Sequence, residues 1–390
     1  MRTYLPAALL SAAIAWCTAT GGAVDPPEMI VAATLVLAAF LTSRWPSQTR
    51  RTRSNRLGLA LAFALIVWLI VDGPMRVGLD IEAVRVPFLV LLVVLAASTV
   101  SRLDDRQIEA VLLGAVAVGI VHAALAVVGS IFQLPAVFQG HHFHRAVSFV
   151  GNPNALGVIL VATGCLTLRA ALRRPSMLLF GGLALQAVAV LLTGSRLAIG
   201  IALCVVAVSG LWSGTPRVKK VLLAWGLLAV AVFAVRGASS PPNPRPELWA
   251  SALSRVSDHP LIGNGPVLQV YFAHPPRQAT THAHNELLQF AVDYGLIGLV
   301  LGLATLATVV ARLVTGRRAD PWVAAAGATL CASGLADYGL RITAISLLAA
   351  VTLAAACRAA QQVNSDIATT QQPDPGHSDP TLSRGRSLAP

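Results

Sequence analysis

Long apolar runs separated by polar connectors dominate the chain. They fall near 5–24, 28–42, 57–72, 84–100, 108–132, 154–170, 177–193, 197–213, 219–235, 286–311, 321–337 and 341–357. Most are about 17–20 residues long, the length a helix needs to cross a hydrocarbon core. Inside lipid each backbone group must be satisfied within its own segment, so runs of this length predict helices. A transmembrane barrel would show short alternating segments instead. The pattern predicts an all-α, polytopic membrane protein with about 12 transmembrane helices.

Composition agrees with a bilayer setting. Hydrophobic residues make up 55% and charged residues 12% of the 390 positions. A soluble domain carries about 25% charge. The net charge of +12 does not point to nucleic acid, because the cations sort by membrane side and form no single patch. With the N-terminus in the cytoplasm, inside connectors and ends hold 20 of the 29 Lys and Arg residues. That bias fits an even number of spans with both termini inside. The stretch after Arg2 imitates a signal peptide, but a retained first helix is what closes this topology. Cys17, Cys165, Cys204, Cys331 and Cys357 lie in or beside apolar runs without CxxC spacing, so they read as small core residues.

The domain reading is a transmembrane unit over 1–360 and a tail over 361–390. The tail is rich in Gln, Pro, Ser and Asp, which predicts disorder on the cytoplasmic side. Two outside loops stand out, about 133–153 and about 236–285. The second exceeds what a connector needs and contains a candidate short helix, Glu247 to Val256, followed by the turn-rich Asp258-His259-Pro260-Leu261-Ile262-Gly263-Asn264-Gly265.

All nine outside cations are arginines: Arg76, Arg85, Arg145, Arg196, Arg236, Arg245, Arg255, Arg277 and Arg341. A guanidinium fork suits phosphate oxygens, and arginines at span rims also snorkel to lipid headgroups. Arg145 and Arg245 favour the first reading. Arg145 precedes Gly151-Asn152-Pro153-Asn154, where Asn152 can cap a helix and Pro153 suits its first turn, so a positive helix end faces outward. Arg196 follows Thr193-Gly194-Ser195 in a tight turn and can bind phosphate or orient the hairpin.

Among the nine histidines, His141, His142 and His144 cluster without Cys or carboxylate nearby, which argues against a metal site. His122 inside a run reads as a helix-packing hydrogen bonder. His284, before Asn285 and Glu286 at the start of the tenth run, has the best placing. It can serve as a general base, a role worth about 10²–10⁴-fold, or simply cap the helix. The residues alone leave both open.

Together the segments Arg145 to Asn154, Leu192 to Arg196, Arg245 with Trp249, Asp258 to Gly265, and His284-Asn285 followed by Gly295-Leu296-Ile297-Gly298 resemble the O-antigen ligase and O-antigen polymerase superfamily. The resemblance covers about 140–300 and the segments come in the family's order. It implies a GT-C-like glycosyltransferase of the cytoplasmic (inner) membrane. The donor would be a glycan on undecaprenyl pyrophosphate, and the acceptor a glycan, lipid or protein hydroxyl on the outer face. No metal or other cofactor is implied, and the anomeric centre would invert. The family's catalytic histidine maps to His284, with His282 two residues away as a decoy. Its substrate-binding residues map to Arg145, Arg245, Arg196 and Asn285. A polysaccharide polymerase shares this chemistry and differs in acceptor. A secondary transporter is the rival from another class, but it calls for ionisable residues at mid-membrane.

Overall fold

The computed structural model describes residues 4–43, 53–134, 138–139, 145–212, 227, 230, 245–267, 270–273, 278–315, 320–335, 337 and 339–370. Helices account for most of them: α1 (Leu5–Ala19), α2 (Pro26–Thr42), α3 (Arg53–Asp72), the one-turn α4 (Pro74–Val77), α5 (Ile81–Val100), α6 (Asp105–Phe132), α7 (Pro153–Arg173), α8 (Met177–Thr193), α9 (Arg196–Trp212), α10 (Arg245–Asp258), α11 (Glu286–Thr315), α12 (Pro321–Ser333) and α13 (Thr343–Thr370). Two small antiparallel hairpins lie in the loops, β1 (Phe138–Gln139) with β2 (Arg145–Ala146), and β3 (Tyr271–Ala273) with β4 (Gln278–Thr280).

Eleven of the twelve apolar runs coincide with helices; of the run at 219–235 only residues 227 and 230 are among those described. Among the described residues, five helices are long and apolar enough to cross a membrane, at Leu57–Val77, Ile81–Val100, Asp105–Phe132, Pro153–Arg173 and Glu286–Val314. This is the make-up of an all-α, multi-pass membrane protein. The last helix runs to Thr370, past the tail boundary placed at 361, and the residues beyond it are not among those described.

At the centre lies α7, packed against α6, α8, α9 and α12. Small residues let these helices approach. A Cβ on Gly157 would stand 2.7 Å from the Ala198 Cβ, in ordinary repulsion. Asn152 caps α7, its Oδ1 accepting from the backbone N–H of Asn154 (2.8 Å) and Ala155 (3.1 Å), and Pro153 occupies the first turn.

The two ends of the bundle differ in chemistry. At one, Arg169 on α7 pairs with Asp320 (2.6 Å) before α12 and with Glu109 (2.8 Å) on α6, and Arg173 joins Asp320 at 2.8 Å. At the other, the connectors assigned to the outside meet one another. Gly21 donates to the Phe149 carbonyl, and Thr343 Oγ1 to the Ala23 carbonyl at 2.6 Å.

The Asp258–Gly265 segment and α11 are one construction. Gly295 sits at φ 66°, ψ −173°, breaking the helical ladder. The loop fills the break: Leu296 N–H donates to the Pro260 carbonyl (2.8 Å) and Ile297 N–H to that of Leu261 (3.2 Å). In return Asn264 and Gly265 N–H donate to the Val292 (2.6 Å) and Asp293 (3.0 Å) carbonyls. Backbone groups freed by the kink are thus satisfied by the loop. A side chain on Gly295 would run into the Leu261 carbonyl. Arg76 secures the loop from α4, donating to the Gly263 and Ile262 carbonyls, each at 3.2 Å.

Candidate functional site

His284 sits between β4 and α11 with φ 51°, in the left-handed region. For a side chain with a Cβ that conformation costs on the order of 1–3 kcal/mol and persists where surroundings enforce it. The neighbours do so. Asn285 caps α11, its Oδ1 accepting from Leu288 N–H (3.1 Å), while its Nδ2 donates to the Leu335 carbonyl (2.9 Å). Glu286 N–H donates to the Gly334 carbonyl at 2.7 Å. Both ends of the Asn285 amide are therefore engaged in joining α11 to the turn after α12.

That turn carries Asp337, which the sequence reading passed over as the end of a span. The helix stops at Ser333, and Asp337 N–H donates back to the Ser333 carbonyl (3.0 Å). Side chains from three described elements or turns converge on its carboxylate. His284 Nδ1 lies 2.9 Å from Oδ1, Asn154 Nδ2 donates to Oδ2 at 2.7 Å, and Arg245 Nη2 stands 3.5 Å from Oδ2. The Asp337 side chain is 6% exposed, against 26% for His284 and 24% for Arg245. The acid is thus sealed behind its donors while the imidazole and guanidinium reach the open side.

The chemistry follows from that arrangement. A carboxylate against Nδ1 favours the tautomer with the proton on Nδ1, which puts the lone pair on Nε2, the ring atom then able to accept a proton. Nε2 has Thr280 Oγ1 at 3.4 Å, a long and weak contact that an incoming hydroxyl can replace.

Arg145, on β2, donates from Nε to the Thr193 carbonyl (2.6 Å) and from Nη2 to Asn154 Oδ1 (2.7 Å). It ties the α8–α9 turn to α7 and stands one residue removed from Asp337. Arg196 opens α9 from that same turn and is exposed. Arg245 opens α10, whose Leu248 and Ala252 pack with Tyr271, Ala283 and Val292 in a small core separate from that of the bundle. The structure therefore brings His284 and Arg245 onto one acid, with Arg145 linked to it through Asn154, Arg196 on the adjoining turn and Asn285 next to His284.

Other outside arginines do something the sequence did not suggest. Arg341, buried, pairs with Asp293 and lies 3.5 Å from both Glu82 and Glu286. Arg85 joins Glu82 (3.3 Å) and donates to the Arg341 carbonyl (3.0 Å), and Arg76 joins Asp72 (3.0 Å). Arg255 lies over the Tyr271 ring at 5.1 Å. These four hold protein groups: they brace the loops and helix ends they touch. His282 lies within reach of the charges on Arg341 and Arg85. Burial pushes its pKa down to about 3, helped by Arg341 and Arg85, so this imidazole stays neutral. His122 meets Ser148 Oγ at 2.8 Å, the packing role expected of it. His141, His142 and His144 lie outside the described residues.

Residues 181–303 match the family model described as O-Antigen ligase. The match runs from α8 into α11 and supports the O-antigen ligase superfamily that the ordered motifs resemble. It includes Arg196, Arg245, His284 and Asn285; Arg145 and Asp337 lie outside it. Among curated proteins no match is found.

Proposed function

We propose that this protein is a member of the O-antigen ligase superfamily and transfers a glycan from undecaprenyl pyrophosphate to an acceptor hydroxyl at the outer face of the cytoplasmic membrane. The observation that carries the reading is the Asp337–His284 pair with Arg245 on the same carboxylate. An oriented imidazole and a guanidinium, both partly exposed at one rim, are what removal of a hydroxyl proton and departure of a pyrophosphate require.

In this mechanism His284 Nε2 takes the proton from the acceptor hydroxyl. The hydroxyl oxygen attacks the anomeric carbon, the bond to the pyrophosphate oxygen breaks, and the anomeric centre inverts. Asp337 holds the imidazole and balances the charge it gains. Arg245, Arg145 and the exposed Arg196 form the phosphate side, and their charge stabilises the leaving group without a metal ion. The N-termini of α7, α9 and α11 all start at this rim, and their dipoles favour an anion there. Asn285 serves by fixing the start of α11 beside the base. About twelve spans in a GT-C-like arrangement, with both termini cytoplasmic, would set this rim at the periplasmic surface.

Ligase and polymerase share every step above and differ in who brings the hydroxyl. A cell-free reaction with undecaprenyl-pyrophosphate glycan, offered either a second lipid-linked glycan or a lipid acceptor, tests the reading by mass spectrometry. Product with the second glycan alone assigns a polymerase, and product with the lipid acceptor a ligase. Transport of the intact donor across proteoliposomes with no transfer would sink the proposal.

A further inference from the structure

We propose that Asn154 is a positioning residue for the base: it fixes which oxygen of Asp337 faces His284 and couples that choice to Arg145. The inference rests on the glycosyl-transfer reading for its consequences, though not for its geometry.

Asn154 stands between two opposite charges. Its Oδ1 receives Arg145 Nη2 at 2.7 Å and its Nδ2 donates to Asp337 Oδ2 at 2.7 Å. Flipping the amide would set its carbonyl against a carboxylate and its NH₂ against a guanidinium. Charge therefore dictates one orientation. The backbone beneath is equally constrained. Asn154 follows Pro153 in the first turn of the most enclosed helix, and its N–H is held by Asn152 Oδ1 at 2.8 Å. From that fixed point the amide pins Oδ2 of Asp337. Oδ1 is then turned to His284 Nδ1 at 2.9 Å. Asp337 sits in a turn outside any helix, so its own backbone supplies little of this precision. The chain Arg145–Asn154–Asp337–His284 thereby connects the phosphate side of the site to the base through three short contacts.

A substitution that cuts one link only is Asn154→Asp. It keeps an oxygen for Arg145 and replaces the NH₂ by an oxygen against Asp337. Two carboxyl groups that close must share a proton, and Asp337 loses its fixed presentation. The measurement uses full-length protein in nanodiscs, with ¹⁵N-labelled histidine. The His284 signals are assigned by their loss in His284→Gln. The expected wild-type spectrum has one His284 tautomer, protonated on Nδ1. In Asn154→Asp that signature mixes, and kcat falls about 10–100-fold, the usual effect of losing an outer hydrogen-bond partner. KM for the lipid-linked donor stays within about twofold because Arg145 keeps its acceptor. Should this variant fail to fold, Asn154→Ser removes the amide without adding charge, and the tautomer and kcat are read in the same way. An unchanged tautomer overturns the positioning role whatever the activity. A tautomer change in a protein that transfers no glycan upholds the positioning and counts against the glycosyl-transfer reading. Wild-type kcat in a folded variant overturns the role for catalysis.

Discussion

Asp337 Oδ1 lies 2.9 Å from His284 Nδ1, although 53 residues separate the two in sequence. The contact joins the turn after α12 to the entry of α11, and it orients the imidazole of a histidine held in a strained backbone conformation. Asp337→Asn keeps the shape and removes the charge that balances an imidazolium. The expected result is a fall in kcat of roughly 10²–10⁴-fold, comparable to losing the base itself, in a protein that still purifies as a monodisperse species. Turnover at the wild-type rate would show that His284 needs no carboxylate.

Arg245 reaches Asp337 at 3.5 Å and remains 24% exposed, so it is placed to meet a phosphate as well as the acid. Lysine preserves the charge but not the fork. Arg245→Lys is expected to raise KM for the lipid-linked donor about 10–100-fold, the range for a lost hydrogen bond to a charged group. An unchanged donor KM would leave Arg245 as a structural partner of Asp337 alone.

Gly295 is needed for its backbone. At φ 66° with the Leu261 carbonyl against it, there is neither the conformation nor the room for a methyl group. Gly295→Ala should cost about 2–4 kcal/mol, seen as a lowered midpoint of thermal unfolding in detergent. Equal stability would mean that the loop and helix separate easily.

His282 gives a pH signature distinct from that of the base. Its pKa in the fold is about 3, below the ordinary 6.5, chiefly through burial. Between those values the unfolded chain binds the proton and the folded one does not, so its contribution is present above about pH 6.5 and is lost as pH falls towards 3. Thermal stability should therefore decline from pH 7 to pH 4, and His282→Gln should decline less. Parallel curves for the two proteins would contradict the assignment.

Much of this architecture can be read from the chain. Runs long enough to span lipid leave little choice but helix, and Asn152-Pro153 marks the start of α7 as plainly as any cap does. His284 was visible because it stands at a polar-to-apolar boundary. Asp337 was not, because it closes an apolar run and only the early stop of α12 at Ser333 turns it towards the site. The outside arginines misled for a related reason. A guanidinium signals an anion but not which one: for Arg76 and Arg85 it is a carboxylate about one helical turn away, Asp72 and Glu82, and for Arg341 it is Asp293, brought in from a distant position. The motif glycines Gly263 and Gly295 hinted at special backbone, while their meeting each other needed three dimensions.

The central claim is that the imidazole of His284 is the base in transfer from a pyrophosphate-linked glycan. The direct measurement is single-turnover transfer by the purified protein, wild type against His284→Ala, with undecaprenyl-pyrophosphate glycan and acceptor followed by mass spectrometry. The account predicts glycosylated acceptor and free undecaprenyl pyrophosphate from the wild type. The variant should bind donor normally and form product at least about 10²-fold more slowly. Product at the wild-type rate from His284→Ala would contradict it.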